Sequence, residues 1–139
     1  MIEQKFFTLK AYPRGVHLIT HYIENYINNE IEIENGMVNL FLQHTSASLA
    51  LNENFDVSVR KDVESFLEYL IPDCWKNFSH TLEGCDDMPA HMKSIMIGSS
   101  LNIPLSKGKL ALGRWQGIYL LEHRDYGGER SMVMTVIGE

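Results

Sequence analysis

Short β-prone runs separated by turn signals dominate this chain, and only three stretches carry helical periodicity. Runs at 2–10, 37–42, 48–51, 102–105, 109–112, 117–122 and 131–137 read as strands. Asn35-Gly36, Ser106-Lys107-Gly108 and Tyr126-Gly127-Gly128 punctuate them as turns. Thr20 is placed to cap a short helix through Asn28, with Ile23 and Ile27 four residues apart. Asp56 is placed to cap a longer helix reaching about Ile71, where Pro72 stops it. Its apolar face is Val59, Val63, Phe66, Leu67 and Leu70. A third helix opens with Asp87 as cap and Pro89 in its first turn, with Met92, Ile95, Met96 and Ser99 expected on its inner face. Strands gathered around two or three helices, without strict βαβ alternation, predict an α+β fold with a largely antiparallel sheet or sandwich. At 139 residues this is one domain with a real core.

Residues 73–87 read as a loop, long for a compact domain and therefore of functional interest. From 80 to 91 the chain holds His80, Glu83, Cys85, Asp86, Asp87 and His91. A structural segment rarely collects so many polar groups, because each needs a partner or solvent. Imidazole and carboxylate at this density suit a divalent metal or general acid/base chemistry. The spacing fits no closed zinc finger. An open site with three nitrogen ligands, or two plus a carboxylate, competes evenly with a solvated acidic loop. Cys85 ranks low as a nucleophile or ligand, and Cys74 and Cys85 make no disulfide framework.

A second polar block, Gln43-His44-Thr45-Ser46-Ala47-Ser48, ends an apolar run, and its hydroxyls suit phosphate oxygens. Without a Gly-x-Ser-x-Gly elbow, a serine nucleophile is not expected. Gly113-Arg114-Trp115-Gln116-Gly117 interrupts a strand pattern; Trp115 could stack on a planar ring and Gln116 could read its edges, or Trp115 could fill a core corner. Arg124 is a candidate phosphate contact, equally readable as a solvated strand end, and Lys93 is a second candidate anion contact, although most lysines are simply exposed.

The formal net charge of −6, with no basic cluster, argues against nucleic acid as a partner. No apolar run approaches a membrane span, and the first residues lack the character of a secretion signal, so the expected compartment is the cytoplasm.

Four motifs in order, Gln43 to Leu49, Leu51 to Asn54, Asp86 to Ser94 and Gly113 to Ile118, followed by Glu122-His123-Arg124, resemble the YjbQ family over essentially the whole chain. This family is also called the secondary thiamine-phosphate synthase family. The resemblance implies a homotrimer of compact α+β subunits and a divalent metal, zinc in preference to magnesium or manganese, held by His44, His80 and His91. It also implies some capacity to join a pyrimidine diphosphate to a thiazole phosphate with loss of diphosphate. Beyond the resemblance, Thr45, Ser46, Ser48, Lys93, Trp115, Gln116 and Arg124 are candidate contacts to a small phosphorylated substrate, and Glu53, Glu83 and Asp87 candidate proton carriers. Arg114 stands where Thr is commoner in the family. The alternatives are a non-catalytic metal or small-ligand binder and a metal-dependent phosphoester hydrolase.

Overall fold

A computed structural model describes residues 1–139. The elements run β1 (Ile2–Leu9), β2 (Gly15–Leu18), α1 (Thr20–Glu30), β3 (Gly36–Leu42), β4 (Ala47–Glu53), α2 (Val57–Leu70), α3 (Asp87–Ile97), β5 (Ser100–Ser106), β6 (Lys109–Leu110), β7 (Gln116–Glu122) and β8 (Arg130–Gly138). The fold is α+β. Two antiparallel sheets, ordered β1-β8-β3-β5-β6 and β2-β7-β4, face each other. Strict alternation on β8 and β3 turns Met132, Met134, Val136, Val38, Leu40 and Leu42 inward. They meet Leu49, Ile118 and Leu120 of the smaller sheet, and α1 closes the side through Ile23 and Ile27.

The central strand β7 is buried along both faces, which explains its unbroken apolar run. Ile118 and Leu120 face the main core, while Tyr119 and Leu121 face α2 through Leu67 and Val63. Asp56 caps α2 as expected, its carboxylate accepting from the Ser58 N–H at 2.9 Å. Phe66 and Leu70, expected on the inner face of α2, are exposed.

The capping of α1 and α3 differs from expectation. Thr20 is the first helical residue, and its hydroxyl accepts from the Ile118 N–H, tying α1 to β7. Asp87 is the first residue of α3 and Asp86 its cap position, with no side-chain cap bond, because both carboxylates are drawn to Arg124. The inner face of α3 is also rotated from the expected one. Ala90, Lys93 and Ser94 are buried, Ser94 donating to the Ala47 carbonyl, while Ile95 and Met96 face outward. Polar anchors on β4 and Arg124 thus set the roll of this helix.

Strand β2, not read from the sequence, pairs with β7. Strand β6 is shorter than read, and a turn at Arg114 and Trp115, closed by the Gln116 N–H on the Gly113 carbonyl, leads into β7. Cys74 and Cys85 are bonded to each other, contrary to expectation; their Cα atoms lie 4.6 Å apart across the loop. No helix is long and apolar enough to cross a membrane.

Candidate functional site

The convergence lies where α3 begins. Pro89 in the first turn fixes the entry of the chain, and Asp87 and His91, four apart, fall on one helix face. The preceding loop folds back and delivers His80. His80 Nε2 lies 2.7 Å and His91 Nε2 3.0 Å from the same oxygen, Asp87 Oδ2. The other carboxylate oxygen accepts from Arg124 Nη1 at 2.7 Å. Ligand atoms from His80, Asp87 and His91 all lie within 4.8 Å of one another.

Tautomer logic makes this grouping informative. His91 Nδ1 donates to the Thr45 carbonyl at 2.9 Å, because a carbonyl can only accept. A neutral His91 therefore turns the lone pair of Nε2 toward a carboxylate oxygen. Two acceptors at 3.0 Å require a proton or a metal cation between or beside them. A backbone carbonyl holding the distal nitrogen is also the usual support of a metal-binding imidazole. The donor set, two imidazoles and a carboxylate, fits a divalent transition metal.

Arg124 is the clamp behind the site. Its Nε reaches Asp86 Oδ2 at 2.9 Å and its Nη2 the Glu83 carbonyl at 3.0 Å, so one guanidinium joins the loop, the cap residue and the Asp87 carboxylate. Burial pushes the Asp87 carboxyl up, but the bond from His80 and the charges of His91 and Arg124 outweigh it and hold it below the usual range. Asp86 is likewise held low, burial being overcome by the Asp125 N–H and by Arg124.

His44 takes no part in the convergence. Its Nε2 accepts from the Ser131 N–H at 2.7 Å, and its Nδ1 lies 3.3 Å from Arg130 Nη1. Burial and then the charge of Arg130 depress its pKa. His44 lines, with Thr45, His91 and Ser94, an open depression of about 520 Å³ beside the site. The structure groups Asp87, read from the sequence as a proton carrier, with His80 and His91, and leaves His44, read as a metal ligand, outside that group.

The other sequence candidates divide. Thr45 adjoins the site through its carbonyl. Ser46 and Ser48 are buried, and the Ser48 hydroxyl pairs with His123 Nε2 at 2.9 Å. Lys93 is wholly buried on the far side of α3, its Nζ without a hydrogen-bond partner, and burial lowers its pKa. Glu83 is exposed and contributes its carbonyl. Glu53, Trp115 and Gln116 sit together at the opposite end of β4 and β7, where Glu53 pairs with Gln116. Six residues of strand, about 20 Å, separate that end from the site. There Glu53 accepts from the Phe55 and Asp56 N–H groups, and Gln116 from the Gly113 N–H. Trp115 is half exposed, edge-on to Phe55 and under Arg114.

Sequence reasoning missed the pair behind His44. Glu122 and Arg130, both buried, form a two-pronged ion pair, with Arg130 also donating to the Ser46 carbonyl at 3.2 Å. Gly127 is obligatory here, since a Cβ would lie 2.2 Å from the Glu122 carboxylate. The signal for Asp87 was present: Asp and His at i and i+4 after a helix start share a face.

Fold and site together define an α+β protein of two facing antiparallel sheets with a two-histidine, one-carboxylate centre at a helix start. The chain belongs to the YjbQ family: the UPF0047 protein YjbQ-like family model matches residues 5–139. It is 49% identical to UPF0047 protein YjbQ of Escherichia coli O157:H7, over the whole of both chains. It is 35% identical to a UPF0047 protein of Synechocystis, covering 99% of this chain and 92% of that one. Among solved structures, a hypothetical protein of Aeropyrum pernix K1 superposes with a TM-score of 0.86 at 30% identity, covering 99% of each chain. A yjbq/upf0047 family protein of Clostridium acetobutylicum gives 0.83 at 31%, covering 96% and 99%.

Proposed function

We propose that this protein is a metal-dependent enzyme acting on small phosphorylated metabolites, with His80, Asp87 and His91 holding a divalent cation, zinc before magnesium or manganese. The observation that carries the reading is the convergence of His80 Nε2 and His91 Nε2 on the single oxygen Asp87 Oδ2, while His91 Nδ1 is held by the Thr45 carbonyl. A bound divalent cation would supply positive charge to phosphate oxygens and to a departing diphosphate. The chain itself orients the ligands: Arg124 fixes Asp87, and Thr45 fixes His91. The open depression beside His91, flanked by Thr45 and Ser94, gives a substrate room to approach.

The activity proposed for this centre is thiamine-phosphate synthesis, the joining of a pyrimidine diphosphate and a thiazole phosphate. Metal analysis of the chain and of Asp87→Asn and His91→Ala tests the site: about one zinc per chain is expected, lost in both variants with the fold intact. Incubation with the two phosphorylated precursors tests the activity, with product expected and abolished by chelation. Zinc binding without product would leave a metal or small-ligand binder. Release of phosphate from a generic phosphomonoester instead would make it a hydrolase.

The working form is proposed to be a cytoplasmic homotrimer. The outer face of the larger sheet supports assembly, because it carries Ile2, Ile137 and Met37 in one cross-strand row and Phe6, Val133 and Phe41 in another. All but Val133 are exposed. Such a face usually meets another surface. Light scattering should give the mass of three chains, and Phe6→Glu combined with Phe41→Glu should give one chain with an unchanged circular dichroism spectrum. A monomeric parent chain would reject the proposal.

A further inference from the structure

The Cys74–Cys85 bond encloses one metal-site residue and leaves the others outside. Its ring of sequence separation 11 contains His80, whereas Asp87 and His91 stand on α3. Nothing regular holds the ring. No helix or strand lies between α2 and α3, and the backbone bonds within it are Cys74 N–H to the Cys85 carbonyl at 3.3 Å, Phe78 to Trp75, and Gly84 to Thr81. Its hydrogen bonds to the body are few: Arg124 on the Glu83 carbonyl, the Asp87 N–H on the Gly84 carbonyl, and His80 on Asp87. Leu82 at its tip is fully exposed. The rest of the site has independent support, since Arg14 grips Asp73 with bonds of 2.7 and 3.0 Å before the ring and Arg124 grips Asp86 and Asp87 after it.

From this arrangement we propose that the Cys74–Cys85 bond is a redox latch on the metal site, closed in the disulfide form and released by a dithiol reductant. Reduction transfers two electrons and two protons: the S–S bond breaks, two protein thiols form, and the dithiol becomes a disulfide. The opened segment gains the freedom of an unstructured loop, and His80 leaves Asp87, while Asp87 and His91 stay in place. A disulfide in a reducing compartment is ordinarily of this reversible kind. The latch therefore sets metal affinity by the presence or absence of one imidazole. The inference rests on the metal reading above.

The test compares three full-length proteins: the oxidised chain, the reduced chain with both thiols alkylated and reagents removed, and Cys74→Ser/Cys85→Ser. Without metal, trypsin cleavage at Lys76, inside the ring, should be at least about tenfold faster in both open forms. With zinc alone as probe, competition against a chromophoric chelator should show affinity weaker by about 10- to 100-fold in both open forms. In a His80→Ala background the oxidised and reduced chains should bind zinc equally. Equal cleavage and equal zinc affinity in closed and open forms would overturn the latch, as would two free thiols per chain after aerobic purification. Failure of the oxidised chain to bind zinc would sink the metal reading instead, and the cleavage rates would then decide the latch on their own.

Discussion

Buried charge is the costliest commitment in this molecule, and Glu122 with Arg130 shows how it is met. The pair is enclosed between β7 and β8, with every prong hydrogen-bonded. Removing one partner strands the other charge in a medium that cannot solvate it. Glu122→Ala is therefore expected to lower stability by about 3–5 kcal/mol, read by chemical denaturation. Arg124 differs, because it is partly exposed and acts through the site. Arg124→Lys keeps a charge but loses the fork that spans Asp86, Asp87 and the Glu83 carbonyl. Zinc affinity should fall about 10-fold or more while the melting temperature changes little.

At the scale of the element, the helices divide by what fixes their ends. Helix α2 has a conventional cap, legible from Asp56 and the apolar run after it. Asp56→Ala should weaken the start of the helix, seen as a denaturation midpoint moved to lower denaturant with an unchanged slope. Helix α3 has no side-chain cap, because Asp86 and Asp87 serve Arg124. Its apolar residues misled the reading of its inner face: Ile95 and Met96 point outward while Lys93 is buried. Periodicity locates a helix reliably, yet its roll follows its polar anchors, here Ser94 on β4 and Asp87 on Arg124. Most strands were legible as apolar or alternating runs next to turn signals, and β2, the four residues Gly15–Leu18, was not.

For the whole molecule, histidine burial ties stability to pH. His123 is 1% exposed, and burial, then the charges of Lys93, Arg14 and Arg130, depress its pKa to about 3. The unfolded chain binds this proton near pH 6.5, the folded chain only near 3. The neutral form thus favours folding fully above about 6.5, and that stability is lost as pH falls toward 3. His44, also lowered, acts in the same direction. Between pH 6.5 and 4.5 the unfolding free energy should fall, with His123 contributing up to about 1.4 kcal/mol per pH unit. His123→Gln should flatten that slope. An unchanged slope would show that His123 exchanges protons freely when folded.

Local pattern determined the α+β class, most element positions, the long loop before α3 and the presence of His80, Asp87 and His91 within one short segment. These follow from backbone geometry and burial periodicity, which act over a few residues. Tertiary structure decided the rest. It paired Cys74 with Cys85, centred the site on Asp87, and occupied His44 with the Ser131 N–H. It also buried Lys93 and set Trp115 and Gln116 at the far end of β7. Each of these depends on which atoms meet across distant stretches of chain. Spacing along the sequence constrains such meetings only within a single helix or strand, so the i, i+4 pair Asp87 and His91 was the one part of the site written locally.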